Sequence, residues 1–526
     1  MLFHSWITLA STFVVALADD TLLEKGGFFL PSVLNATAPV SSLCCTILNS
    51  ALPTKTSFPG DDTYEAQQLG YYSAQQREME PACRVAPESA DDVSLIVQIA
   101  TENRCTFAVK SGGHMSWGGS NVGPAGFTID LGSLNTVSVH EDEGIVSFGS
   151  GCVWREVYEA LAPYNLTTVG GRVSNVGVGG FLGGGGISFL SIEHGLGSVS
   201  VVNYLVVLAD GAISNVNEAS LPDLYWALKY GSTNFGIVVR FDMITYPVGL
   251  MWGGSLYLPV SDAPPILHFL VDLLPNLAQD PKGMAAILMG WDTHTQDHYI
   301  WVVVNYLEPT MFPPLFAPLQ SFKPLQSTLR VTDLLNITDE LQDTSPDGSR
   351  ARWISLTLVP DAQMLLDLFN KGAEMFDPYR ARAGFSWAVS FQPINAGLAA
   401  AGSRNGGNPS GLSAESGDLI LYCAIVTWQD PADDVVLKAA VDEYLWWARE
   451  TAVQRGVLNR FIYLNYALGT QDVMGGVGKE NLDELRIIQA IYDPRKCLEV
   501  TGWVGSSCKL ILPFRLWTVE RADSFS

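Results

Sequence analysis

The chain has 526 residues, with 54 acidic side chains against 30 basic ones and a formal net charge of −24 at pH 7. A field of this sign repels nucleic-acid phosphates and anionic membrane surfaces, which argues against both classes of partner. Hydrophobic residues make up 48% and charged residues 16% of the chain, enough apolar material for a large core distributed over two or three domains.

The first eighteen residues predict a secretory signal peptide. They form an apolar stretch with small residues at Ala16 and Ala18, although a positive n-region is nearly absent. A retained membrane anchor is the alternative, but the stretch is short for a bilayer core of about 30 Å. We therefore expect a secreted or secretory-pathway protein without a membrane span. Glycosylation is predicted at the three Asn-x-Ser/Thr sequons, Asn35, Asn165 and Asn336.

Eight cysteines are available for disulfides in that compartment, and none has the C-x-x-C spacing of a metal or redox site. We expect one bridge from the adjacent pair Cys44 and Cys45 to Cys105. A second bridge is expected between Cys497 and Cys508.

The chain is expected to be loop-rich up to residue 91, and the apolar spacing over 92–100 predicts an amphipathic helix. A strand over 106–109 then leads into Lys110-Ser111-Gly112-Gly113-His114. The glycine pair lets consecutive backbone N–H groups converge on an anion. The histidine is held beside that anion, where its imidazole is available as a base, a ligand or a nucleophile.

Short strands are predicted over 126–131, 136–139 and 145–148, followed by a helix over 153–161. A second glycine cluster, residues 170–186, is too dense for an ordinary turn and predicts that another group approaches its backbone closely. A nicotinamide-type Rossmann fingerprint requires a third glycine where Leu182 stands. We interpret the two clusters as a clamp on one large phosphorylated cofactor, with plain surface loops as the alternative.

Farther along, the segments 201–208 and 212–214 flank Ala209-Asp210-Gly211, which predicts a hairpin. A short helix over 224–228 and a strand over 236–241 follow. From residue 247 to about residue 460 the chain is rich in aromatic residues. This half suits a second domain with an antiparallel sheet backed by helices.

In order and spacing, these motifs resemble the berberine-bridge-enzyme-like FAD-linked oxidoreductases, whose FAD domain is of the PCMH or vanillyl-alcohol-oxidase type. The resemblance rests on the segments 71–76, 81–83, 107–114, 176–180, 234–238, 463–466 and 492–494. It implies an α+β fold with two domains, a PCMH-type FAD-binding domain and a substrate domain of antiparallel sheet backed by helices. The implied ranges are 1–18 for the signal peptide, 19–78 for an N-terminal segment packing on the FAD domain, 79–248 for the FAD domain, 249–460 for the substrate domain, and 461–515 for a C-terminal segment returning to the FAD domain.

The same resemblance implies FAD bonded covalently from the imidazole of His114 to the 8α-methyl of the flavin, which favours hydride acceptance and prevents cofactor loss. Many members have a second tether through a cysteine at the position of Val173, so a single attachment is expected here. A valine at position 176 resembles the oxidases, which admit dioxygen, whereas a leucine resembles the dehydrogenases; plain packing of Val176 on the ring is the alternative. The implied cofactor-binding residues are Lys110, Ser111, Gly112, Gly113, His114, Ser174, Val176, Gly177, Gly179, Gly180, Gly183, Gly184, Gly236, Ile237 and Val238.

For the chemistry, the resemblance assigns to Tyr466 the role of the base that removes a substrate proton; a core aromatic is the alternative. A phenol is a poor base at neutral pH unless its anion is stabilised, and the sequence does not identify the stabiliser. Gln392, and either Tyr422 or Cys423, lie on strand-like runs that are candidates for the substrate site. Six aromatic residues of the second half are candidates either for substrate stacking or for the core: Trp252, Tyr257, Trp291, Trp301, Trp353 and Trp387.

A metal site is not predicted. His294 and His298 are four residues apart, as on one face of a helix, but the Glu of a His-Glu-x-x-His site is missing and the following residues predict a strand. His140 and His194 have no partner pattern and are predicted to be structural.

The sequence therefore predicts a monomeric, FAD-dependent oxidase acting on a small molecule. Hydride passes from a substrate C–H to flavin N5, and dioxygen reoxidises the flavin with release of hydrogen peroxide. Secondary-metabolite intermediates, alcohols and sugars are the candidate substrates. A dehydrogenase with another electron acceptor, and a non-catalytic secreted glycoprotein that retained the fold, are the alternatives.

Overall fold

The computed structural model describes residues 40–293, 295–344, 347–496, 498 and 509–510. The signal peptide, the Asn35 sequon, His294 and the expected Cys497–Cys508 bridge lie outside these residues. Within them, no helix is both long and apolar enough to cross a bilayer.

The part of the chain up to residue 247 contains eight helices and eleven strands among the described residues. The helices are α1 (Val40–Ala51), α2 (Asp62–Leu69), α3 (Ala74–Arg77), α4 (Ala90–Glu102), α5 (Trp154–Leu161), α6 (Val178–Gly183), α7 (Ser191–His194) and α8 (Pro222–Leu228). The strands are β1 (Thr56–Ser57), β2 (Arg84–Val85), β3 (Thr106–Lys110), β4 (Phe127–Asp130), β5 (Val137–His140), β6 (Ile145–Gly149), β7 (Leu166–Thr167), β8 (Val201–Val207), β9 (Ile213–Val216), β10 (Ile237–Ile244) and β11 (Tyr246–Pro247).

Seven helices and ten strands make up the described remainder. The helices are α9 (Ala263–Leu277), α10 (Leu334–Asp343), α11 (Ala362–Phe376), α12 (Ala396–Ala401), α13 (Asp434–Gln454), α14 (Val473–Gly476) and α15 (Lys479–Tyr492). The strands are β12 (Met251–Leu258), β13 (Gly283–Asp292), β14 (Asp297–Tyr306), β15 (Gln326–Ser327), β16 (Arg330–Thr332), β17 (Arg350–Leu358), β18 (Ser386–Ile394), β19 (Leu419–Trp428), β20 (Leu458–Asn459) and β21 (Lys509–Leu510).

Two five-stranded sheets form the first part. One has the order β1-β2-β4-β3-β21 and is parallel except for the β1–β2 pair. The other is antiparallel, with the order β5-β6-β10-β8-β9. Helix α4 connects β2 to β3, and its apolar side chains at helical spacing are buried, including Val93, Ile96 and Val97. The predicted β8–β9 hairpin is confirmed.

A nine-stranded antiparallel sheet dominates the second part. Helices α9, α11 and α13 pack on one of its faces, as the sequence predicted for a sheet backed by helices. Because side chains alternate between the two faces of a strand, every second residue of β13, β14, β18 and β19 is left for the opposite face. The candidate site lies on that face.

The expectation of a loop-rich segment before residue 92 is wrong, since α1, α2 and α3 occupy much of it. Two disulfides hold helix α1, and the sequence of the helix alone does not specify their partners. The disulfide Cys44–Cys105 ties it to the residue before β3, and Cys45–Cys83 ties it to the residue before β2. The first bridge is the expected one, and the second was not predicted.

Residues 71–75, which we call the bridging segment, contact both parts of the protein. The Tyr72 amide donates to the carbonyl of Gly113 at 3.0 Å, and the Ala74 amide donates to that of Ser349 at 3.0 Å. The Gln75 side chain exchanges two hydrogen bonds with the backbone of Ala351 on β17, at 2.8 and 3.1 Å. This segment thereby couples the histidine loop to the nine-stranded sheet.

The chain after residue 460 returns to the first part. Helix α15 packs against α8, and the Tyr492 hydroxyl donates to Asp223 Oδ1 at 3.0 Å. Strand β21 pairs with β3 in parallel at the end of the first sheet.

Candidate active site

The loop that follows β3 presents backbone donors to an open space. Gly113 adopts the left-handed conformation, with φ +67°, which favours glycine. Within the described residues, the N–H groups of Gly112, Gly113 and His114 donate to no protein acceptor. Consecutive amides in such a turn are suited to binding an anion.

The two glycine clusters touch each other backbone to backbone. A Cβ on Gly177 would lie 2.3 Å from the nitrogen and 2.6 Å from the Cα of Gly112, and a Cβ on Gly112 would lie 2.5 Å from the Cα of Gly177. Ser111 fastens the contact, since its hydroxyl donates to the Ser150 carbonyl at 2.6 Å and accepts from the Gly179 amide at 3.2 Å. No side chain fits at the point where Gly112 and Gly177 meet.

Several other glycines of the second cluster serve packing. Those at 170 and 171 press on the Trp154 ring, and a Cβ on Gly184 would meet Asn465 Oδ1 at 2.0 Å. Gly180 differs, because a Cβ there meets nothing within 4 Å although the residue lines the cavity described next. A bound group is therefore able to approach the chain closely at Gly180.

The first of two cavities, called here the cofactor cavity, is enclosed by the histidine loop, the second glycine cluster, the start of β10 and the residues 463–467. The hydroxyls of Ser150 and Thr233 line it, are buried, and have no hydrogen-bond partner among the described residues. Buried polar groups normally find partners. Together with the free amides and the open side of Gly180, they fit a large polar cofactor such as a dinucleotide.

Most residues predicted to bind the cofactor line this cavity. They are Ser111, Gly112, Gly113, His114, Val176, Gly177, Gly179, Gly180, Gly183, Gly236, Ile237 and Val238. Three others do not line it. The Lys110 ammonium lies 3.1 Å from Asp130 Oδ2, and the Ser174 hydroxyl donates to Gln342 Oε1 at 2.5 Å. Gly184 packs on residue 465. Strand alternation carries the lysine side chain to the far side of the sheet.

His114 lies in the wall of the cofactor cavity. Its ring stacks on Tyr72, with 4.3 Å between the centroids. Burial lowers the pKa of the imidazole to about 4, because the surrounding protein disfavours the charged form. The ring is therefore neutral at physiological pH and keeps a nitrogen lone pair.

The second cavity, called here the substrate cavity, has a volume of about 650 Å³ and lies on the face of the nine-stranded sheet opposite α9, α11 and α13, where the end of α10 also lines it. Tyr257, Trp301 and Trp353 form part of its wall. Trp252 is buried against Phe312 and Phe316. The other two aromatic candidates, Trp291 and Trp387, are almost fully buried on the helix side, although Trp387 borders the cavity with one edge.

Tyr466 lies where the two cavities meet, together with Arg172, Val173 and Trp353. Arg172 Nη2 donates to the Tyr466 hydroxyl at 2.6 Å and to Gln392 Oε1 at 2.8 Å. The guanidinium is the group that sequence reasoning missed. An arginine inside a glycine cluster was the available signal, because glycines there bring the backbone, and with it the neighbouring side chain, close to the bound group.

The two substrate candidates occupy opposite faces of the sheet. Gln392 lines the substrate cavity. Tyr422 pairs with Phe391 in the register and faces the helices, where its hydroxyl donates to Tyr444 at 2.7 Å. Cys423, the other residue left open at that position, lines the cavity.

Within the described residues, no group of three or more potential ligands is placed to hold a metal ion. His298 lies on β14 and contacts Asp377 and Arg380. His140 is exposed and bonds Ser147. The ring of His194 stacks on Tyr246 at 3.8 Å.

Residues 81–217 match the family model described as an FAD binding domain. The chain is 35% identical to the FAD-dependent monooxygenase drtC of Aspergillus calidoustus over 86% of its own length and 87% of that protein. The fold is similar to that of 6-hydroxy-D-nicotine oxidase from Arthrobacter nicotinovorans, with a TM-score of 0.70, 21% identity and coverage of 84% and 95%. Berberine bridge enzyme from Eschscholzia californica gives a TM-score of 0.69 at 16% identity, with coverage of 90% and 99%.

Gly177→Ala is expected to separate the two glycine clusters and to lose most of the bound flavin, because its Cβ falls within the backbone of Gly112. Overpacking of this kind costs about 1–3 kcal/mol of stability. The measurement is the flavin absorbance per protein after desalting, together with the urea midpoint. Gly249→Ala is the matched control, since nothing lies within 4 Å of its Cβ. A Gly177→Ala protein with full flavin content would contradict the role of the contact.

Proposed function

The chain belongs to the berberine-bridge-enzyme-like family of FAD-linked oxidoreductases, and we propose that it is an oxidase that removes a hydride from a C–H bond of a small metabolite. The observation that carries the proposal is the contact between the Arg172 guanidinium and the Tyr466 hydroxyl at the wall shared by the two cavities. This contact places the phenol of Tyr466, hydrogen-bonded to a guanidinium, between the cofactor cavity and the substrate cavity.

The histidine loop and the second glycine cluster would hold FAD in the cofactor cavity, where it would supply the hydride acceptor and the site of reoxidation by dioxygen to hydrogen peroxide. Tyr466 would act as its phenolate, which accepts the proton that the substrate loses as the hydride departs and so becomes the neutral phenol. Arg172 donates to this oxygen, and the charge-assisted hydrogen bond stabilises the phenolate before the step. Gln392 orients the guanidinium through its own contact with Arg172. The aromatic wall made by Trp353 and its neighbours excludes water from the transfer.

We further propose that His114 forms the single covalent bond to the flavin. The new C–N bond would replace a C–H bond of the 8α-methyl, with loss of protons and with two electrons left on the flavin ring, which dioxygen would remove. The imidazole must be neutral to form this bond, and burial favours the neutral ring. The Tyr72 ring fixes the plane of the imidazole by stacking on it. Val173 borders both cavities and has no sulfur for a second tether.

Reoxidation by dioxygen is supported by Val176, a small side chain in the wall of the cofactor cavity. A monooxygenase is the second candidate, because the relative from Aspergillus calidoustus has that name. The two functions differ in the fate of the oxygen atoms, which either leave as peroxide or enter the product.

The disulfides Cys44–Cys105 and Cys45–Cys83 support entry into the secretory pathway, where such bonds persist. Asn165 and Asn336 are exposed, as acceptors of a glycan must be. We propose that both positions are glycosylated. We also propose that the FAD-binding domain covers residues 79–248 and the substrate domain residues 249–460, as predicted from the sequence.

Tyr466→Phe is expected to slow flavin reduction by about 10²–10⁴-fold, the usual contribution of a general base, with unchanged flavin content. The measurement is anaerobic stopped-flow bleaching with a metabolite that reduces the wild-type flavin. Tyr422→Phe is the matched control, since its hydroxyl lies behind the sheet; it should reduce at the wild-type rate and lose about 1 kcal/mol of stability. Equal reduction rates for both variants would remove Tyr466 from the mechanism.

His114→Ala is expected to release its flavin into the supernatant on acid precipitation, whereas the wild-type pellet stays yellow. His140→Ala, on the exposed end of β5, should behave as the wild type. Because the pKa of His114 is lowered to about 4, attachment of FAD to apoprotein should proceed equally well between about pH 5 and 8 and fail only as the imidazole becomes protonated at lower pH. A flavin that remains bound in acid-denatured His114→Ala rules out this tether.

Turnover under ¹⁸O₂ distinguishes the oxidase from the monooxygenase. The expected result is one hydrogen peroxide per product and no ¹⁸O in the product. Val176→Leu is expected to slow reoxidation by dioxygen while leaving reduction by the substrate unchanged. Label in the product with substoichiometric peroxide would replace the oxidase assignment by a monooxygenase.

A further inference from the structure

We propose that the substrate is a flat, unsaturated metabolite bearing an ionised oxygen, such as an enolate, a phenolate or a carboxylate, and that this oxygen pairs with Arg172. The inference rests on the proposed function, since it specifies the substrate class of the same site. Three observations support it: N–H groups of the guanidinium without an acceptor, unpaired N–H donors of residues in the cavity wall, and the flat aromatic side chains that form the wall.

Several N–H groups of Arg172 donate to no acceptor within the described residues. A guanidinium has five N–H groups, and Nη2 uses both of its own on Tyr466 and Gln392. Within the described residues, Nε and Nη1 have no acceptor, and no carboxylate forms an ion pair with this arginine. Arg350 and Arg352, in contrast, are paired with Asp434 and Asp442.

A cation in a cavity wall without a counterion costs free energy, which an anionic ligand recovers. The guanidinium reaches both cavities. Its position beside Tyr466 places the anionic oxygen of a ligand next to the group that takes the substrate proton. The oxygen therefore fixes which C–H bond faces the cofactor cavity.

Two buried, unpaired polar atoms of residues that line the substrate cavity are also donors. The indole N–H groups of Trp301 and Trp353 are buried, and neither has an acceptor among the described residues. No unpaired buried acceptor lines the same cavity within those residues. A ligand that satisfies these two donors must supply acceptors.

The walls suit a planar body. The rings of Tyr257 and Trp301 lie parallel, 1° apart in orientation, with centroids 6.0 Å apart. Trp353 meets Tyr466 edge to face at 5.7 Å, and Leu288 and Ile425 add apolar surface. Flat unsaturated rings pack well on such faces, and a volume of about 650 Å³ accepts a bicyclic or tricyclic skeleton.

The test is isothermal titration calorimetry of the flavin-loaded protein with 2-naphthoate and with its neutral isostere 2-naphthamide. The naphthoate is expected to bind at least about tenfold more tightly, because a charge-assisted pair with a guanidinium is about twice as strong as a neutral hydrogen bond. Arg172→Gln should abolish the difference, and Arg172→Lys should keep part of it. Arg455→Gln is the control, since Arg455 pairs with Asp367 in the helix layer behind the sheet.

Equal affinity for the two probes, no binding of naphthoate at millimolar concentration, or a naphthoate preference that survives in Arg172→Gln would each overturn the inference. The last result, combined with a changed flavin spectrum in Arg172→Gln, would assign the free donors to the cofactor instead. Binding requires no turnover, so the two proposals fail separately. A protein whose flavin no metabolite bleaches contradicts the oxidase, whereas normal bleaching without an anion preference contradicts only the substrate class.

Discussion

The contact between Gly112 and Gly177 is the constraint on which the site depends. It brings a loop after a parallel strand and the start of helix α6 to a separation that no Cβ allows. Everything that makes the cofactor cavity follows from this closeness: the free amides of the histidine loop, the hydroxyl of Ser111 between the clusters, and the open flank of Gly180. Most of these glycines are thus needed for the close packing of one part of the chain on another. Only at a few positions, such as Gly180, do they leave room for a ligand.

The elements with clear local patterns were predictable from the sequence. Helix α4, the hairpin β8–β9 and the strands after the histidine loop have unambiguous periodicity or turn residues, and all are present. Helix α1 was missed although its buried residues Cys44, Cys45 and Leu48 lie at helical spacing, and two disulfides tie it to the residues before β2 and β3. A local pattern gives no information about bonds formed with residues 38 and 61 positions away.

The sequence named most of the residues that line the cofactor cavity, but it missed Arg172 and gave no information about the geometry. Period-two alternation decides whether a strand residue faces a cavity or a helix layer, and register must be known to use it. The alternation places Gln392 in the substrate cavity and Tyr422 against Tyr444. The pairing of Arg172 with Tyr466 joins residues 294 positions apart, so it required the folded chain.

The bridging segment holds the histidine loop against the nine-stranded sheet. Its hydrogen bonds to Gly113, to Ser349 and to β17 span the seam between the histidine loop and the nine-stranded sheet, and a hinge opening along that seam would break all of them at once. Opening along that seam therefore costs these hydrogen bonds together. The side chains of β13, β14 and β18 that line the substrate cavity take no part in them, so these side chains are able to change without loosening the two halves.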